Sequence, residues 1–125
     1  MSLKQLVAKL LGKKTLENLK QISVEEFLKE HGEECNSCVI DVRSPEEHAA
    51  CHVEGVRLFP LPDLDVPHVL KECGDSDGPI YVLCKAGGRA MKAAEQMAPH
   101  TTRDVVVVTG GTDACVAAGA KTRTL

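Results

Sequence analysis

Three short runs constrain this chain most: "CVIDV" at 38–42, "IYVLC" at 80–84 and "VVVV" at 105–108. Apart from Asp41, none mixes polar and apolar positions. A half-buried strand alternates, whereas a strand covered on both faces does not, so these runs predict the interior strands of a parallel sheet. The segments between them carry helix signals. In "ISVEEFLKEHG", Ser23 and Glu26 predict a capping box, Ile22 a staple against Phe27, and Gly32 a stop. In "SPEEHAAC", Ser44 predicts an N-cap, Pro45 the first helical position and Glu47 the residue closing the cap. "GVRLFPLPDL" predicts a turn, a short strand and an extended piece, and "VPHVLKECG" a short helix closed by Gly74. "AMKAAEQMA" and "TDACVAAG" predict two more helices, the first broken by Pro99 and the second ending before Gly119. Strands alternating with helices imply an α/β domain, three-layered α/β/α, with a mostly parallel central sheet wound right-handedly.

The 125 residues suit one compact domain. Leu3, Leu6, Val7, Leu10 and Leu11 share one helical face, so residues 1–20 are expected to form a helical N-terminal extension whose stripe docks on this domain or a partner. The core is expected at 21–120, followed by a tail at 121–125. A net charge of −3 with interspersed signs lacks the clustered basic face of a nucleic-acid binder, and 2% aromatics supply no stacking platforms. No apolar run approaches the roughly 20 residues of a membrane span, and no secretory signal is evident.

The six cysteines lie at 35, 38, 51, 73, 84 and 115, within strand and helix patterns. That placement suggests a reduced, cytoplasmic protein. Cys51, Cys73 and Cys115 are expected to be small buried hydrophobes. Cys35 and Cys38 have the spacing of half a zinc site, but no second pair matches it. They are expected to be incidental cysteines in a loop before a strand, with no metal bound. His48 and His52 are four apart; His52 is expected to be a structural or turn residue, and metal binding there is not expected.

Cys84 differs from the others. It ends a predicted parallel strand, where open α/β sheets place their ligand sites. Lys85, Ala86, Gly87 and Gly88 follow, and small residues there let main-chain N–H groups curl inward. A helix N-terminus near Arg89 and the charges of Lys85 and Arg89 add positive potential. Each feature favours thiolate over thiol and predicts a nucleophile. Asp41, Arg43 and Glu47 are expected to brace the loop from beneath. Arg89 either faces a substrate anion or pairs inward with one of those acids.

Three segments together resemble a single rhodanese (sulfurtransferase) domain. These are "CVIDVRSPEEHAACHVEGVRLFPL", the six-residue loop "CKAGGR" and "VVVVTGGTDACVAAG". The resemblance runs from about residue 22 to 119. It implies that Cys84 takes a sulfane sulfur from thiosulfate or a persulfide donor, holds it as a persulfide cradled by loop amides, and yields it to a thiol or cyanide. No cofactor is implied. A protein partner in a sulfur relay is an alternative acceptor. The chain departs from the family pattern at Cys115, where a tryptophan is usual, at Ala90, often serine, and at Cys51, often glycine. One rival is a cysteine phosphatase or arsenate reductase; those loops space cysteine and arginine one residue further apart. Another is a non-catalytic rhodanese-like binding module, in which the cysteine is typically lost.

Overall fold

The computed structural model describes residues 16–31 and 38–125. Five strands form one parallel sheet: β1 (Leu19–Ile22), β2 (Cys38–Asp41), β4 (Arg57–Leu58), β5 (Ile80–Leu83) and β6 (Val105–Val108), in the order β1-β6-β5-β2-β4. The helices are α1 (Val24–His31), α2 (Pro45–Ala50), α3 (Val66–Glu72), α4 (Gly88–Met97) and α5 (Gly111–Ala117). A small antiparallel pair joins β3 (His52–Val53) to β7 (Thr122–Arg123). Among the described residues no helix is long and apolar enough to cross a membrane.

The unalternating runs form the strands expected of them. Every residue of β2, β5 and β6 is buried, and these three occupy the middle of the sheet. Successive side chains of a strand point to opposite faces, and the core divides accordingly. Ile40, Val42, Ile80, Val82, Cys84, Val105 and Val107 pack with Val69 of α3 and Ala90, Ala93, Ala94 and Met97 of α4. Val39, Tyr81, Leu83, Val106 and Val108 pack with Val24 and Phe27 of α1 and Cys115 of α5. Phe27 meets Tyr81 edge to face at a centroid distance of 5.1 Å.

The ends of the chain differ from expectation. The stripe at 3–11 lies outside the described residues, but Leu19 and Lys20, expected in the same helical extension, are strand. Parallel β1 pairs with β6, Leu19 opposite Val105 and Ile22 opposite Val108. The expected tail at 121–125 is tied to the domain through β7, and the Leu125 N–H donates to the Ala49 carbonyl at 2.9 Å. Pairing with distant strands, invisible in the local pattern, decides both.

The cysteines need a second correction. Cys38 is a buried residue of β2, not a loop residue, and it forms a disulfide with Cys73, just beyond α3. Their Cα atoms are 5.5 Å apart across 35 residues of sequence. Cys38 is therefore not an incidental thiol and Cys73 not a free buried hydrophobe, while Cys35 lies outside the described residues: α3 folds back over the sheet and brings its end to the start of β2. Cys115 is a buried thiol, as expected, and burial pushes its ionisation up to about 11.

Candidate active site at the end of the fifth strand

After β2 the chain moves outward to β4, whereas after β5 it moves the other way to β6. The crevice between the carboxyl ends of β2 and β5 is thus the sheet's topological switch point, the usual ligand site of such folds. Asp41 ends β2, Leu83 lies opposite it in register, and Cys84 follows.

The Cys84 side chain is nearly fully buried, while Lys85, Ala86 and Gly88 are exposed. The chain turns sharply at Gly87, whose φ of +119° disfavours a residue with a side chain. The turn brings the Gly87 N–H to within 2.8 Å of Cys84 Sγ, to which it donates. It also starts α4, whose first-turn N–H groups have no intrahelical acceptor.

The loop is held from behind by backbone. At the start of α5, the Thr112 N–H donates to the Cys84 carbonyl at 2.8 Å and the Asp113 N–H to the Lys85 carbonyl at 3.2 Å. In a trans peptide the carbonyl and the following N–H point in opposite directions. Drawing those two carbonyls toward α5 therefore turns the Lys85 and Ala86 N–H groups to the other side of the loop. The approach is close: a Cβ on Gly111 would overlap the Cys84 carbonyl oxygen and lie 2.8 Å from that of Lys85.

The three expected brace residues belong to two ion-pair systems that share α2. Asp41 is 1% exposed and accepts from Arg43 Nε and Nη2 at 3.0 and 2.9 Å, from the Arg43 N–H at 3.0 Å, and from His48 Nδ1 at 2.9 Å. Burial alone would raise its carboxyl's ionisation. The bonds from Arg43 and His48 outweigh that and hold it below the ordinary value. Arg43 Nη2 also donates to the Cys51 carbonyl at 2.7 Å.

In the second system Glu47 takes both ends of the Arg89 fork, at 2.7 and 2.9 Å. The Ser44–Glu47 capping box expected from sequence is present and orients this carboxylate. The Arg89 hydrogen bonds, opposed by burial and aided by Ser44, hold Glu47 at about 2. The same bond to Glu47 raises Arg89, against its own burial and with smaller contributions from Cys84 and Asp41. Of the two orientations open for Arg89, the structure shows the inward pair. Asp41 fastens α2 to the sheet, and Glu47 fastens α2 to the helix leaving the loop.

Sequence reasoning missed His48 as Asp41's partner and the α5 amides behind the loop. The histidine lies in the first turns of a capped helix next to a strand ending in Asp, a readable signal. Backbone amides leave no side-chain signature, although Gly110-Gly111 marked the close approach. His52 lies beyond the end of α2, in β3, although it is four residues from His48. Their rings stack at 3.8 Å, and His52 Nδ1 donates to the His48 carbonyl at 2.7 Å.

An αβ sheet with a cysteine-headed amide loop at its switch point defines a class, and the sequence matches it. Residues 23–118 match the Rhodanese-like domain family, to which this chain belongs. The Rhodanese-like/PpiC domain-containing protein 12, chloroplastic, of Arabidopsis thaliana is 32% identical over 78 residues, covering 61% of this chain and 26% of that protein. The putative sulfur carrier protein YrkF of Bacillus subtilis (strain 168) is 29% identical over 94 residues, 75% of this chain and 49% of that one. The chain thus spans half or less of these relatives' lengths. In fold it is similar to a thiosulfate sulfurtransferase from Pseudomonas aeruginosa, with a TM-score of 0.74 at 22% identity over 84% of this chain and 19% of that one. It is also similar to the Staphylococcus saprophyticus protein SSP1007, at 0.65 and 25% identity over 82% and 98%.

Proposed function

We propose that the chain is a sulfurtransferase in which Cys84 carries a sulfane sulfur from thiosulfate or a persulfide donor to a thiol or cyanide. The observation that carries this reading is the Gly87 N–H directed at Cys84 Sγ within a loop whose carbonyls are tied away from it. Cys84 Sγ attacks the outer sulfur of the donor. The donor's S–S bond breaks, and its electron pair leaves on sulfite when the donor is thiosulfate. The transferred sulfur becomes the terminal atom of a persulfide, whose negative charge the loop amides and the start of α4 stabilise. A thiolate or cyanide then attacks that terminal sulfur, and the electron pair returns to Cys84 Sγ. The cycle has no net redox change in the chain and requires no cofactor.

A phosphatase reading fits less well, because the Arg89 fork that would face a tetrahedral oxyanion is occupied by Glu47. The exposed rim of Lys85, Ala86 and Gly88 favours, as a second reading of the acceptor, a protein thiol in a sulfur relay. Lys85 would steer an anionic donor, and Asp41, Arg43, Glu47 and Arg89 would hold the loop in shape.

Intact mass after incubation with thiosulfate tests the reaction. The chain should gain one sulfur atom, lose it on addition of thiol or cyanide, and gain none as Cys84→Ser. Loading that persists in Cys84→Ser would overturn the assignment.

A further inference from the structure

We propose that Cys38 and Cys73 are a redox-active pair, whose bridge a dithiol reductant opens through attack on Cys73 at the end of the sheet remote from Cys84. Cys38 begins β2 and is 8% exposed, whereas Cys73 is only half-buried. An incoming thiolate therefore reaches Cys73, and Cys38 is the sulfur that leaves. In the first step the reductant forms a mixed disulfide with Cys73. The bridge's electron pair departs on Cys38 Sγ, which takes up a proton. In the second step the reductant's other thiolate attacks its own first sulfur, and the electron pair departs on Cys73 Sγ, which is protonated in turn. Two electrons and two protons pass to the bridge, and the dithiol leaves as a disulfide. A disulfide oxidant reverses the sequence.

A second observation supports exchange at Cys73. Arg103 is 9% exposed, and its guanidinium lies against the turn that follows this cysteine. Its Nε donates to the Gly78 carbonyl at 2.6 Å, and its Nη1 donates to those of Cys73 and Gly74 at 3.2 and 3.3 Å. Its Nη2 is buried with no hydrogen-bond partner among the described residues. Among the described residues no carboxylate is hydrogen-bonded to this cation, and Asp77 acts on it only through space, so its positive charge lies beside Cys73 when that residue departs as a thiolate.

The segment closed by the bridge contains Asp41, Arg43, Glu47 and His48, so closure also restrains the brace. Cys38 begins β2 opposite Ile80, while Cys84 lies past the far end of β5. Four residues of strand separate the levels by roughly 13 Å, so the bridge and Cys84 do not exchange sulfur directly.

The full chain is treated with oxidised glutathione and desalted, and half is then reduced with dithiothreitol under native conditions. Both halves are blocked with N-ethylmaleimide, digested and mapped by mass spectrometry. The oxidised half should yield a peptide pair joined at Cys38 and Cys73, and the reduced half should carry label on both. A Tm about 10 °C lower is expected after reduction, and Cys73→Ser should abolish both the joined pair and the Tm difference. The proposal is overturned by label on Cys38 and Cys73 in the oxidised half, by a linkage through Cys35 or another cysteine, or by a bridge that opens only in denaturant. A redox-dependent Tm that survives in Cys73→Ser would overturn it as well. None of these readings requires Cys84 to be active.

Discussion

At the carboxyl end of the sheet, main-chain N–H groups serve the Cys84 loop. Gly87 donates to the sulfur, and Thr112 and Asp113 donate to the loop carbonyls. At the amino end, side-chain donors serve main-chain carbonyls. Asn18 Nδ2 lies within 3.0 Å of the Ala98, Thr101 and Arg103 carbonyls, and Arg103 reaches those of Gly78, Cys73 and Gly74. Both ends must satisfy polar groups that the strands leave behind. A side-chain donor can be deleted by one substitution, at a cost confined to stability. A backbone donor survives any substitution that leaves the chain's path unchanged. The amide cradle of Cys84 is thus insensitive to changes in its own side chains and highly sensitive to backbone shape.

Gly111→Ala breaks the carboxyl end most directly. The added carbon overlaps the Cys84 carbonyl, and its φ of +57° disfavours a side chain. Relief requires the loop or α5 to move, which misdirects the loop amides. Thiosulfate loading followed by intact mass should slow by tenfold or more, with Tm also lowered; loading at the wild-type rate would refute the account of the α5 amides.

Asn18→Ala tests the amino end. It deletes an amide that spans three carbonyls, although its two hydrogens cannot fully satisfy all three at once. Urea unfolding should show a loss of about 1–3 kcal/mol, with Cys84 loading unchanged within twofold under conditions where the chain stays folded. A parallel fall in loading would mean that the two ends are coupled.

Glu47→Gln gives the smallest expected effect, because it keeps the shape of the brace and removes its charge. Loading should slow a few-fold at neutral pH as Arg89 loses its anionic partner. The folded chain lowers Glu47 from its ordinary 4.5 to about 2. Its contribution is therefore fully present above the ordinary value and is lost as pH falls through about 2. Acid unfolding curves should accordingly be flatter for the variant between those values, and identical slopes would show that the pair contributes nothing to stability.

The interior of the sheet was legible because burial on both faces leaves unbroken apolar runs, as in β5 and β6. The place of Cys84 at the end of β5, before a tight loop, was legible because such a run ends at a thiol followed by small residues, and the α2 cap because Ser44, Pro45 and Glu47 each act locally. β1 was not: "LKQI" has apolar residues only at its ends and pairs as an edge strand with a partner far along the chain. β7 is two exposed residues with no apolar signal. The link between Cys38 and Cys73 depends on where α3 lands, and that is set by packing on the sheet. What local chemistry dictates was visible, and what tertiary proximity creates was not.

The pairing of β1 with β6 also sets an order of assembly. β2, β5 and β6 can register with one another once the chain from 38 to 108 has collapsed. β1 must then find β6 across nearly the whole described sequence, and contacts of such separation are entropically costly to close early. The first strand among the described residues is therefore among the last to dock. As an edge strand with two of its four residues exposed, it is also placed to detach first. Brief openings of the native molecule start at that margin of the sheet, separated from the Cys84 loop by β6, and the loop stays assembled while they occur.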